Sequence, residues 1–153
     1  MSVLNRYRKP GGFRQLVQLI ETSQPVKQAQ LLKAVAHEDP NWAQLLMQKK
    51  ITIDMVLAWD KSLVWIIFEA MQDRHCATLL CHLGHDWTNQ VPQNLHQEKA
   101  RQIRRLLLGM GDPSQAEIRA AQVHLLEVVR LLDEEKRINL RLIDPRLDLE
   151  DAA

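Results

Sequence analysis

The chain is poor in the residues that break, staple or specialise a fold. In 153 residues it has five glycines, six prolines and two cysteines. So few glycines and prolines exclude a collagen-like or low-complexity chain and argue against disorder. The cysteines, Cys76 and Cys81, fall in a segment that reads as one helix, where their side chains point to different sides and a mutual disulfide is not expected. Reduced thiols fit a cytoplasmic location. Charge of one sign is missing too: 20 Lys+Arg against 19 Asp+Glu leave +1, so no global field draws in nucleic acid or an anionic membrane. No apolar run approaches the roughly 18 residues of a membrane span. Residues 1–10 are basic and polar, without the apolar core of a signal peptide. There is no glycine-rich phosphate loop, no nucleophile elbow and no partnered carboxylate pair. An enzyme is therefore not expected, and no catalytic residue or cofactor is assigned.

What remains is ordinary soluble stock, 46% hydrophobic and 25% charged, long enough to bury a core without disulfides or metal. The stretch that stands out is Ile51 to Met71. Leu63 to Phe68 (LVWIIF) is apolar at every position. A surface helix shows one apolar stripe, so a helix apolar all round is either core or a covered interface.

Taken in order, residues 1–9 form a basic leader, read as a solvated terminus. Pro10-Gly11-Gly12 starts a helix with Phe13, Leu16, Val17 and Ile20 on one face. Pro25 opens a second helix, lined by Val26, Ala29, Leu32 and Val35 or Ala36. Asp39-Pro40 is a cap and first-turn pair for a third, burying Trp42 or Ala43 with Leu45, Leu46 and Met47. Three short helices on tight turns make one armadillo-like unit over 10–50, a kind that cannot bury its face alone. Gln48-Lys49-Lys50 reads as a polar break. Thr52, Asp60 and Asp73 are candidate caps of helices running to Trp59, to Met71 and to about Leu83, with Gly84 as a stop. A weaker helix over 86–93 is blunted by Pro92. A strong one over 96–109 turns Ala100, Ile103, Leu107 and Met110 one way and Lys99, Arg101, Arg104 and Arg105 the other. Ser114 to Glu117 is a capping box for a long helix to about Lys136, with Ile118, Ala121, Leu125, Val128, Val129 and Leu132 inward. Residues 138–142 alternate and predict a short extended arm. An acidic tail over 144–153, with Asp144, Asp148, Glu150 and Asp151, is expected to be mobile.

Two clusters invite sharper readings. His75, Cys76, Cys81, His82 and His85 lack the tight knuckle spacing of structural zinc, so packed cysteines and surface histidines are preferred and no metal site is assigned. The Lys99, Arg101, Arg104, Arg105 face reads as a solvated helix face, since a nucleic-acid-binding module would need more cations or stacking aromatics. His124 and Glu127, neighbours on one helix, read as an exposed stripe.

The order of signals resembles the C-terminal half of the bacterial flagellar motor-switch protein FliG. The resemblance is carried by PGGFRQLVQLI, Glu38-Asp39-Pro40, VLAWDKS, and MGDPSQAEIRAAQ followed by VVRLLDEEKRINL, over about residues 10–140. It implies an all-α fold: the armadillo-like unit, a flexible hinge, then a roughly six-helix C-terminal subdomain over 51–143 that faces the membrane-embedded stator. The hinge position reads Lys50-Ile51-Thr52-Ile53, without the family's aromatic packing. Where the family presents charge to the membrane-embedded stator, the matching residues are Trp59, Asp60, Lys61 and Phe68, with Glu69 one register away. Asp60, Lys61, Glu69 and Arg74 are thus candidate polar partner contacts. Trp59, Trp65 and Phe68 are candidate apolar anchors if exposed, a stickier contact than paired charges.

The expected function is a non-enzymatic protein–protein interaction module. Its partners would be flagellar stator or switch-complex proteins, or further copies stacked through the armadillo-like unit. No nucleic acid and no membrane insertion are expected. The location is cytoplasmic, with the cytoplasmic face of the inner membrane (flagellar basal body) left open. Since the family's N-terminal and much of its middle region are missing, a natural short paralogue is expected. The alternatives are a helical scaffold or regulator of a secretion or motor-like apparatus without a torque role, and a small nucleic-acid-binding helical module.

Overall fold

The computed structural model describes residues 2–149, all-helical with no strand among them. The chain divides into two compact units. Unit 1 joins the residues up to Thr52 to those from Asp133 onward, and unit 2 is Ile53–Leu132.

Unit 1 is built on α1 (Gly12–Thr22), α2 (Pro25–Glu38) and α3 (Pro40–Lys49). Gly12 lies against the carbonyl of Tyr7, into which any Cβ would collide, so only glycine lets the leader pass beneath the helix start. Phe13, Leu16, Val17 and Ile20 of α1 are all buried, as their spacing predicts. Asp39 caps α3 by accepting from the amides of Asn41 and Trp42 at 3.1 and 3.2 Å. Leu46 is buried, and Phe13 meets Trp42 edge to face at 5.2 Å. Val26, Ala29 and Met47, expected to face inward, are exposed. Only the later turns of α2, through Val35, reach the core.

The rest of unit 1 departs from the sequence reading at both ends. The leader is not frayed: Leu4 is buried in the core, and one carboxylate, Glu38, accepts from the Ser2 hydroxyl and the Val3 and Leu4 amides. The expected extended arm is instead a short helix, α11 (Leu140–Ile143). The tail, expected mobile, forms a 3-10 turn over Pro145–Leu147 and buries Leu147 and Leu149. Acidic residues flanked by leucines read as solvated tail, but Asp144 is used as a cap, accepting from the Arg146 amide at 3.0 Å. Glu150 and Asp151 lie outside the described residues.

Unit 2 runs α4 (Ile53–Leu57), α5 (Lys61–Ala70), α6 (Asp73–Leu83), α7 (His85–Thr88), α8 (Val91–Asn94), α9 (Gln97–Gly109) and α10 (Gln115–Glu134), whose last two residues count with unit 1. Asp60 caps α5 through the Ser62 amide at 2.9 Å. Asp73 is the first residue of α6, not its cap, which is Gln72. At Gly84, φ is 100°, a conformation costly for a side-chain-bearing residue, and it lets the chain turn from α6 straight into α7. The single helix expected over 86–93 is two, because Pro92 has no amide to donate and sits in the first turn of α8. The capping box is formed: the Ser114 amide donates to Glu117 and the Glu117 amide to the Ser114 hydroxyl, both at 3.1 Å. The inward face of α10 is buried as its periodicity predicts.

Candidate functional site: an arginine-lined groove

The apolar run Leu63–Phe68 of α5 is mostly core. Trp65 is 3% exposed and Phe68 0%. Their rings and that of Trp87 form an edge-packed triangle, with Trp65–Phe68 at 5.2 Å, Phe68–Trp87 at 5.7 Å and Trp65–Trp87 at 5.9 Å. The indole Nε1 of Trp65 is buried with no acceptor, so ring and apolar contacts hold it. Trp65 and Phe68 are therefore not partner anchors: α5 buries Val64 and Ile67 as well, leaving Ile66 as its outward apolar residue at 46% exposure. Trp59, which the fold places beyond the end of α4, is half-buried.

The polar candidates are mostly engaged within unit 2. Asp60 is exposed, but its carboxylate receives the Ser62 hydroxyl at 2.6 Å and the Ser62 amide, which hold its pKa below the ordinary aspartate value. The Lys61 ammonium lies 4.1 Å from the centre of the Trp87 ring, a cation–π contact. Glu69 accepts from the His96 amide at 3.0 Å, satisfying an orphan donor at the start of α9. Arg74 is exposed on α6. Among the hinge candidates, Ile51 is buried and its amide donates to Glu21 at 2.7 Å, so it is tied into unit 1. The boundary between the units falls between Thr52 and Ile53.

A different surface of unit 2 is a basic groove. The supposed basic face of α9 splits in two. Lys99 turns inward, donating to the Met71 carbonyl and, at 2.8 Å, to Asp73. Arg101, Arg104 and Arg105 stay exposed and line a concavity of about 540 Å³ along α8 and α9. Pro92, Leu95 and Ala100 supply its apolar part, and Leu108, 90% exposed, stands at the end of the arginine stripe. Spacings of three and four residues put Arg101, Arg104, Arg105 and Leu108 side by side on the helix. No carboxylate lines the groove, and among the described residues none of these arginines makes an ion pair. A groove of this kind presents guanidinium forks beside apolar surface, which suits a carboxylate-bearing amphipathic segment. The signal was readable in sequence as a leucine set in an arginine stripe just after Pro92–Leu95; neutral overall charge hid it.

The thiol and histidine cluster disperses. Cys76 is buried, and burial pushes its pKa up to about 12. His75 stacks at 4.7 Å on His124, a residue passed over as part of an exposed stripe. The Nε2 of His124 accepts the Gln72 amide at 3.0 Å, so the ring is neutral there. Burial, then the neighbouring His75 and Lys99, lower its pKa. Among the described residues, no three His, Cys, Asp or Glu side chains converge as metal ligands would.

Compared with known families, residues 33–140 match the family described as the FliG C-terminal domain. The match spans well over half of the chain, including α9 and its groove. The chain belongs to this family. FliG C-terminal domains are structural, flagellar motor-switch interaction modules, and the all-helical fold agrees with membership. No curated protein and no solved structure gives a significant match. No helix is long and apolar enough to cross a membrane among the described residues.

Proposed function

We propose that this FliG C-terminal-domain protein works as a non-enzymatic docking module at the flagellar motor, on the cytoplasmic side, and that its partner-binding face is the α8–α9 groove and not α5. The occupant is an acidic amphipathic segment of a stator or switch-complex protein. Its apolar side would cover Pro92 and Leu108, while its carboxylates meet Arg101, Arg104 and Arg105. The observation that carries this is three exposed arginines without ion pairs around an apolar groove, in a chain whose overall charge is only +1. Exposed charges of this kind steer and orient a partner more than they add affinity. Asp60 and Arg74 remain candidate rim contacts on the same unit. The hinge candidates Lys50 to Ile53 form one of the two connections between the units, the other lying within α10.

The test is titration of the purified chain with peptides from the cytoplasmic loops of the cognate stator and switch proteins. An acidic loop peptide should bind, weaken as salt rises, and lose at least about tenfold in affinity against Arg101→Glu/Arg104→Glu/Arg105→Glu. Unchanged affinity for that variant would remove the groove from the account. Swimming and reversal in a deletion strain form the second arm: impaired motility supports a motor role, whereas normal motility moves the chain to the scaffold or regulator reading.

A further inference from the structure

Unit 1 shares no residue with the groove, which lies wholly on unit 2. The family match ends at residue 140, and the residues immediately beyond it fold back onto unit 1. Leu149 is part of the core cluster that contains Phe13, Leu16 and Val17 of α1 and Leu46 of α3. The Lys49 side chain, buried at the end of α3, donates to the backbone carbonyls of Arg146 at 3.3 Å and Asp148 at 2.5 Å. These bonds read the backbone of the segment, and Leu149 fills the face. An armadillo-like unit cannot bury its face alone. Here part of that burial comes from a segment outside the family domain.

Two features make the segment an exchangeable part. It is internally organised: Asp144 caps its own 3-10 turn and forks onto Arg146 at 2.8 Å, and Arg141 pairs with Asp148 at 3.6 Å. A preorganised segment can dock without much further ordering cost. Its connection to α10 is short and strained, since Lys136 holds φ at 61°, the left-handed region that a side-chain-bearing residue adopts unwillingly. Short strained connections favour exchange of the element they carry, because opening relieves the turn while every docking contact is remade on another copy.

We propose that residues 140–149 are a C-terminal latch. It occupies in cis a docking face on α1 and α3 that takes the same segment from a second copy of this chain when the latch opens. In the closed state the face is blocked, so self-association is gated by the chain's own tail.

The test uses the full chain and a fluorescent peptide of residues 140–149 (LRLIDPRLDL). Leu147→Ser/Leu149→Ser, which frees the face but keeps it intact, should bind the peptide saturably and at least about tenfold more tightly than the parent, whose face is occupied. Adding Lys49→Met should weaken that binding at least about tenfold, since both carbonyl contacts are lost. Native mass spectrometry of the concentrated parent should show a dimer that Leu147→Ser/Leu149→Ser abolishes. Equal binding to parent and variant, no binding to a variant that keeps its helical circular dichroism, no dimer at any concentration, or a dimer that survives the leucine changes each overturns the proposal. If the double variant loses its helical signal, Lys49→Met alone decides. Amide exchange over 140–149 should then accelerate at least about tenfold, and an unchanged rate overturns the latch.

Discussion

Replacing Phe68 by alanine separates core from contact on the helix where the two readings collide. Phe68 has no exposed surface and sits between Trp65 and Trp87 at 5.2 and 5.7 Å. Truncating a buried phenylalanine costs about 3–5 kcal/mol, the transfer of the ring plus the cavity it leaves. The cavity here would be walled by two indoles whose edge contacts are lost together, so the upper half of that range, about 4 kcal/mol, is expected. With a urea slope of about 1–2 kcal/mol/M for a unit of this size, the midpoint should fall by about 2–4 M. Tryptophan fluorescence follows it directly, because Trp65 and Trp87 line the cavity. Ile66→Ala on the same helix is the control: the residue is 46% exposed, so its loss should cost no more than about 1 kcal/mol. A Phe68→Ala chain whose midpoint moves by less than the equivalent of about 1 kcal/mol would refute the core assignment, most decisively if it stayed folded and lost its partner.

Further outcomes follow from the same geometry. Lys99→Met should destabilise unit 2 by about 1–3 kcal/mol in urea denaturation, because it strands the Met71 carbonyl and the Asp73 carboxylate, whereas Arg104→Glu should stay within about 0.5 kcal/mol. His124 has a folded pKa below its unfolded value, so its contribution is present above about pH 6.5 and is lost as pH falls through the folded value. Chemical denaturation from pH 8 to about 5 should show that loss, and His124→Gln, which can still accept from Gln72, should flatten it. The carboxylates of Glu38, Asp39, Asp60 and Glu117 are likewise lowered, by hydrogen bonds from Ser2, Arg8, Ser62 and Ser114 respectively before other causes. Their stabilisation is complete above the ordinary carboxylate range and disappears as pH drops below it, so the urea midpoint should fall between about pH 4 and 2. A thiol reagent should modify Cys81 in the native chain and reach the buried Cys76 only on unfolding.

Local chemistry alone fixes much of the fold. The Asp39-Pro40 start, the Ser114–Glu117 box, the Gly84 stop and the inward faces of α1 and α10 each depend on residues within a turn or two of one another. Other features are decided by a partner far along the chain, which the local sequence does not reveal. Nothing near Leu4 or Leu149 says that both enter the core around Phe13, and nothing near Glu38 says that it will hold Ser2 to Leu4. Distant partners also decide the fates of α5 and α9. A run of aromatic and aliphatic residues in α5 drew attention because it is apolar where the family it resembles carries charge, yet Trp87, some twenty residues on, closes over it. On α9, Lys99 and Arg101 look alike in sequence. Only the position of Asp73 and the Met71 carbonyl sends one inward and leaves the other at the groove.

We place partner docking on α8 and α9, with α5 serving as core. Amide chemical-shift mapping of the labelled full chain, titrated with the acidic partner peptide that binds it, tests this most directly. Perturbations are expected to concentrate between Pro92 and Leu108, with side-chain guanidinium shifts at Arg101, Arg104 and Arg105. Perturbations concentrated between Asp60 and Ala70, with the α9 resonances unmoved, would contradict it.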